Sequence, residues 1–128
     1  MLHVSAGILI KDDRVFLAQR PEGKQQAGYW EFPGGKIEIE ENPETALVRE
    51  FMEEFGVQIR VLRKFHENVH TYAGKAVKLY SFLVVHQAGT FALREHAALA
   101  WVPLSKLLTY RLAPADIPIA EKLVGSGI

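Results

Sequence analysis

Seven glutamates stand between Glu38 and Glu54, in the stretch GGKIEIEENPETALVREFMEEFGV that runs from Gly34 to Val57, and they are nearly half of the 15 acidic residues. Arg49 is the only counter-charge among them, with Lys36 just upstream. Glu50, Glu53 and Glu54 are spaced i, i+3 and i+4, which on a helix sets their stems roughly 6 Å apart on one face. In water each pair repels by only about 1 kcal/mol, so an exposed cluster is tolerable. Partly dried in a cleft, the cluster is costly without a cation. All-oxygen donors suit the hard cations Mg²⁺ and Mn²⁺, which also bind phosphates. The plainer reading is a solvated helix face.

The elements around the cluster are legible. Asn42 is a good N-cap, Pro43 suits the first helical position and Gly56 suits the left-handed residue that ends a helix. At about 100° per residue, with Glu50 at zero, Glu54 falls near 40° and Glu53 near 300°. Leu47, Phe51, Phe55, Val48 and Met52 fill a separate apolar arc, and the small Ala46 sits within the acidic one. Leu2–Ile10 reads as a buried strand, 11–13 as a turn and 14–20 as a second strand. The loop PEGKQQAGYWEFPGG carries an aromatic cluster, Tyr29, Trp30 and Phe32, whose rings either stack on a base or anchor the loop. Strands are expected over Val57–Phe65, 75–86 and in AALAWVPL, and short helices in PLSKLLTY and PADIPIAEKLV. Strands and helices without regular alternation imply a mixed sheet with helices packed on it.

Composition narrows the function. The 128 residues suit one domain, and 48% hydrophobic content supplies a core. The absence of cysteine excludes disulfides, thiol nucleophiles and cysteine-ligated metal, and fits a cytoplasmic protein. No stretch is apolar enough to span a membrane, and the N-terminus does not read as a signal peptide. A formal net charge of zero argues against binding a nucleic-acid polymer, while free nucleotides need only a few local cations.

From Gly35 the chain runs Gly, five residues, Glu41, seven residues, Arg49-Glu50, Phe51, one residue, Glu53-Glu54, one residue, Gly56-Val57. This resembles the Nudix box, residues 35–57, at every fixed position. The resemblance implies the Nudix fold, an α+β protein built as an α/β/α sandwich, in a single domain over residues 1–128. It implies hydrolysis of nucleoside diphosphates linked to another group, with Mg²⁺ (or Mn²⁺) as cofactor. Glu50, Glu53 and Glu54 would then be metal ligands, joined by the backbone carbonyl of Gly34. Arg49 would orient the glutamates, and Glu41 would support them. The segments AQRPEGKQQAGYWEFPGGKIE, REHAALAWVPLSKL and APADIPIAEKL extend the resemblance to the MutT-like nucleotide-sanitising branch. That branch cleaves oxidised or cytidine-type nucleoside triphosphates to a monophosphate and pyrophosphate, as a monomer or homodimer.

Four further residues carry over from that branch. Glu95 matches a loop glutamate that approaches the metal and acts as a base. Arg20 stands where an arginine lies near substrate, and Lys36 would steady phosphates or pair with the box. Asp116, in PADIP, replaces an asparagine of the purine-specific members. An ionised carboxylate offers only acceptors, which would suit a base edge that presents N–H groups. The other reading of Asp116 is a helix N-cap. The histidines show no zinc spacing, although His70 and His96 sit where loops would reach a cleft. Lys75 reads as a solvated hairpin lysine. Two other functions remain open from sequence: a hydrolase of nucleotide sugars or dinucleoside polyphosphates, and a non-catalytic nucleotide-binding module.

Overall fold

The computed structural model describes residues 1–127. Its strands are β1 (Leu2–Lys11), β2 (Arg14–Gln19), β3 (Trp30–Glu31), β4 (Gly34–Lys36), β5 (Gln58–Tyr72), β6 (Lys75–Ala88) and β7 (Ala98–Pro103). Its helices are α1 (Pro43–Phe55) and α2 (Ile117–Gly125), with 3₁₀ turns at Leu104–Thr109 and Pro114–Asp116. The main sheet order is β3-β2-β1-β6-β5, with β4 added to β1 and β7 to β2. β1 and β6 are parallel from Leu2↔Val77 to Leu9↔Val84, and the other pairings are antiparallel.

Strand alternation sorts the core into two layers. Ala6, Ile8, Val15 and Leu17 face one cluster with Ile119 and Leu123 of α2. Leu9, Phe16 and Ala18 face the opposite cluster with Leu47, Phe51 and Phe55 of α1. The sheet is therefore covered on both faces, as the expected sandwich requires. Among the described residues, no helix is long and apolar enough to cross a membrane.

The second edge of β1 is what opens the site. β6 occupies one edge along most of β1. On the other edge β4 pairs near the start (Val4↔Lys36) and β2 near the end (Ile10↔Val15). The chain crosses between them at Pro33, whose carbonyl accepts from the Gly7 N–H at 2.7 Å. β3 and β4 lie inside the stretch that reads as loop. They are too short for strand periodicity to register, and their pairing partners are far away in sequence.

Other expectations hold or shift for local reasons. The hairpin turn at Asp12 and Asp13 takes left-handed φ at both residues, 53° and 60°, as a two-residue hairpin demands. β5 continues past Phe65 to Tyr72, where its polar sequence hides a half-exposed strand; the register shifts lie before it, between Gln58 and His66. PLSKLLTY forms the expected short helix, of 3₁₀ type over Leu104–Thr109 and with no side-chain cap. Trp30 packs edge-on to Tyr110, Phe32 is in the core, and Tyr29 lies under the Arg111 guanidinium at 4.0 Å. The aromatic cluster therefore anchors its loop. Met52, at the margin of the apolar arc, is 46% exposed.

Candidate active site

α1 starts and ends where its sequence dictates. Asn42 Oδ1 accepts from the Thr45 N–H at 2.7 Å, and Gly56 takes φ 70° and closes the helix onto the Met52 carbonyl. The acidic arc faces water only at Glu53. Ala46 is fully buried, and Glu54 is 7% exposed. The arc faces the turn between β3 and α1, and two glycines make the approach close. A side chain at Gly34 would strike the Ser5 carbonyl oxygen at 1.9 Å, and one at Gly35 would strike the Glu50 carboxyl carbon at 2.4 Å.

Arg49 is the hub of the outer side. It donates from Nε to Glu41 Oε2 at 2.8 Å, from Nη2 to Glu41 Oε1 at 2.9 Å and to the Lys36 carbonyl at 3.1 Å. Its Nη1 reaches Glu50 at 3.0 Å and Glu53 at 3.3 Å. The hydrogen bonds from Arg49 hold the Glu41 carboxyl down to about 2, and the same bonds hold the guanidinium firmly protonated. This planar fork fixes three glutamates at once, a task the single ammonium of a lysine does not match.

The inner side has no such compensation. Burial, and then the charges of Glu50, Glu31, Glu95 and Glu53, push the Glu54 carboxyl up to about 9. Its Oε1 is buried without a hydrogen-bond partner. Burial also raises Glu50, against the pull of Arg49. Crowded, dry, partly unpartnered oxygens are the donor set a hard divalent cation satisfies, so these residues fit such an ion. Among the described residues, no three carboxylates or imidazoles are drawn together as a closed cage. Glu53 in particular is turned to Arg49 and about half exposed.

One cavity of about 640 Å³ brings most of the expected residues together. Gly34, Lys36, Glu54 and Glu95 line it, as do Arg20 and Asp116. Glu50 stands behind Gly35, and Arg49 and Glu53 lie outside the lining. Lys36 meets Arg49 only through its backbone carbonyl. Lys75 is an exposed hairpin lysine, as expected.

At the far end, Asp116 is 6% exposed, and its Oδ2 accepts from the Phe32 N–H at 2.8 Å. Its side chain makes no cap bond to α2, so the N-cap reading fails. Burial, helped by the charge of Glu31, pushes its carboxyl well above the usual carboxylate range. That favours the protonated form, which carries a donor as well as acceptors. The acceptor-only argument took Asp116 as ionised, and burial here works against that form.

Glu31 joins the two ends and was missed in the sequence. Arg20 Nη1 donates to its Oε1 at 2.8 Å, and His96 Nε2 lies 2.8 Å from its Oε2. A carboxylate only accepts, so His96 Nε2 is the donor. The same ring stacks on Phe55 and lies 3.9 Å from Glu54. Glu31 sits between Trp30 and Phe32, and alternation aims it at the cavity while its neighbours pack. That alternation was the available signal. His96 reaches the cleft, whereas His70 lies on β5 rather than in a loop.

The NUDIX domain profile matches residues 1–123. The chain belongs to the Nudix family. It is 41% identical over 121 residues to the CTP pyrophosphohydrolase of Escherichia coli (strain K12), covering 94% of this chain and 90% of that one. It is 31% identical over 123 residues to the 8-oxo-dGTP diphosphatase of the same organism, covering 95% of each. Among solved structures, the solution structure of the E. coli ORF135 protein superposes with a TM-score of 0.88 at 40% identity, over 98% of this chain and 89% of that one. The crystal structure of a MutT NUDIX hydrolase from Burkholderia pseudomallei gives 0.87 at 27% identity, over 95% and 97%. The chain is thus a MutT-like Nudix hydrolase. Nudix hydrolases use divalent metal cations.

Proposed function

We propose that this Nudix hydrolase is a Mg²⁺-dependent pyrophosphohydrolase of cytidine-type or oxidised nucleoside triphosphates, releasing nucleoside monophosphate and pyrophosphate. The observation that carries the reading is one cavity with uncompensated carboxylates at one end and the buried Asp116 beside Glu31 at the other. Glu50, Glu53, Glu54 and Glu95, with the Gly34 carbonyl, would hold the cation, and Mn²⁺ would serve in place of Mg²⁺. When bound, the cation neutralises phosphate oxygens and acidifies water. Arg49 keeps Glu41, Glu50 and Glu53 in place. Arg20 and Lys36 bring positive charge to the triphosphate. Water attacks phosphorus, the α–β anhydride bond breaks, and the Glu95 carboxylate accepts the proton of the attacking water.

At the other end, Asp116 has Oδ2 on the Phe32 N–H, and a proton on its other oxygen leaves a hydroxyl that both donates and accepts, where an asparagine held the same way would only donate. Cytosine presents a matching acceptor and donor at N3 and N4–H, and guanine at O6 and N1–H. The 41% identity to the E. coli CTP pyrophosphohydrolase favours the cytidine-type substrate. The relatives named 8-oxo-dGTP diphosphatase keep the oxidised purine as the second reading. The partner is a free nucleotide rather than a nucleic-acid polymer, and the enzyme works in the cytoplasm as a monomer or homodimer. The test is pyrophosphate and monophosphate release with Mg²⁺ from CTP, dCTP, 5-methyl-dCTP, 8-oxo-dGTP, 2-hydroxy-dATP and dGTP, with ADP-ribose and a diadenosine polyphosphate alongside. A marked preference for one triphosphate is expected. Turnover of only the last two overturns the substrate, and binding without turnover of any overturns the enzyme.

A further inference from the structure

Asp116 is held from two sides, and only one of them is the cavity wall described so far. On the β3 side, the Phe32 N–H holds its carboxyl, and the Ala113 N–H donates to the Trp30 carbonyl at 2.8 Å. On the opposite side stands Asn68 of β5. Its Nδ2 donates to the carbonyl of Ala115, the residue before Asp116, at 3.0 Å. Asn68 is in register with Leu79 of β6, which lines the cavity, so the two side chains share a sheet face beside the base end. Below them Lys122 of α2 donates to the Phe65 carbonyl at 2.7 Å, which ties the same turn and helix to β5.

The Asn68 amide is a costly choice for packing alone. Its Oδ1 is buried with no hydrogen-bond partner, a burden that an apolar side chain of similar size avoids. What the amide adds is the donor to Ala115. β3 fixes the Pro114–Asp116 turn on one side, and Lys122 holds α2 to β5 beyond it. Asn68 supplies the side-chain bond from β5 to the turn itself.

We propose that Asn68 is a positioning residue for base choice: its bond to the Ala115 carbonyl sets where the Asp116 carboxyl stands in the cavity, so the long β5–β6 hairpin takes part in selecting the nucleotide. The inference rests on the reading of Asp116 as the group that faces the base. It is tested with steady-state kinetics on the preferred triphosphate and the next best one, for Asn68→Ala, Asn68→Asp, Asp116→Asn and the double variant Asn68→Asp with Asp116→Asn. Asn68→Asp keeps the volume and loses the donor.

The expected result is a fall of about tenfold in the kcat/KM ratio between the two substrates in both Asn68 variants. The fall comes through KM, with kcat and the Mg²⁺ dependence unchanged. Because Asn68 acts through Asp116, the double variant falls no further than Asp116→Asn alone. A lowered melting temperature with equal losses on both substrates overturns the inference and makes Asn68 merely structural. An unchanged ratio in the Asn68 variants, with a changed one in Asp116→Asn, overturns the inference and leaves the parent reading intact. An unchanged ratio in Asp116→Asn overturns both.

Discussion

The two ends of the cavity are built in opposite ways. Apart from Glu95, the acidic end comes from one continuous stretch, residues 34–57, folded as a β-strand, a turn and a capped helix. The base end is assembled from β2, β3, β5 and the Pro114–Asp116 turn, segments separated by up to 84 residues between Phe32 and Asp116. Both ends bury carboxyl groups, and they resolve the cost differently. At the outer acidic end a guanidinium compensates Glu41, Glu50 and Glu53. At Glu54 no guanidinium or ammonium does, His96 being the nearest basic group at 3.9 Å, and the carboxyl rises to about 9. At Asp116 a single backbone N–H is the compensation, and burial raises the carboxyl. Burial raises both groups, but the crowd of Glu50, Glu95 and Glu53 around Glu54 suits a cation, whereas Asp116, bonded to the Phe32 N–H, suits a hydrogen-bonding edge.

The largest effect is expected at the acidic end. Glu54→Gln should lower kcat by at least about 10²-fold, because the carboxylate that faces phosphate is gone. The same change removes the cost of holding a proton on Glu54 above pH 4.5, so the melting temperature of the metal-free protein at neutral pH should rise. Activity and stability then move in opposite directions, which a mistaken assignment of Glu54 to structure would not produce. Glu53→Gln should also abolish most turnover with little change in folding.

Next comes Arg49→Lys. It keeps the charge but not the fork, and should cost about 1–3 kcal/mol of stability as well as most of the activity. The Glu41 carboxyl, now at about 2, should titrate closer to its ordinary 4.5. Titration followed by NMR of the glutamate carboxyls would report it.

Stability against pH sharpens the contrast. Glu54 has its folded value raised from 4.5 to about 9, so the folded, metal-free protein binds a proton that the unfolded chain releases. Its contribution is fully present below pH 4.5 and is lost as pH rises through about 9. Melting temperatures of chelator-treated protein should therefore decline between these values. Added Mg²⁺ should restore them, increasingly with concentration, and should release a proton on binding. Calorimetry in two buffers of different ionisation enthalpy would detect that proton.

The smallest effect should be at Glu40, which holds a left-handed φ of 66° at an exposed position. Glu40→Gly should stabilise the protein by about 0.5–1 kcal/mol with activity unchanged, as seen by denaturant unfolding. A loss of metal affinity would instead give Glu40 a place in the acidic end.

This asymmetry explains what the sequence disclosed. Asn42, Pro43, Gly56 and the i, i+3, i+4 glutamates announce the acidic end because every relation among them is local. The interdigitated sheet layers follow from strand alternation and were equally legible. Glu31, by contrast, matters through Arg20 and His96, neither of which is near it in the chain. Asp116 was visible as a residue, but its protonation follows from burial, which no short window carries. The polar part of β5 was missed because it lacks the apolar alternation that marks a strand, although it pairs with β6 in unbroken register from His66 to Tyr72. Asn68 sits in that part, with its bond to Ala115 spanning 47 residues.

The central claim is that the acidic end performs the cleavage while the base end chooses the nucleotide. It is tested most directly by kcat/KM for CTP and 8-oxo-dGTP at saturating Mg²⁺, in the natural protein and in Asp116→Asn. The account predicts that the ratio between the two substrates shifts by about tenfold or more, with the Mg²⁺ dependence unaltered. An unchanged ratio with an equal loss on both substrates would contradict it, and would place base choice elsewhere in the cavity.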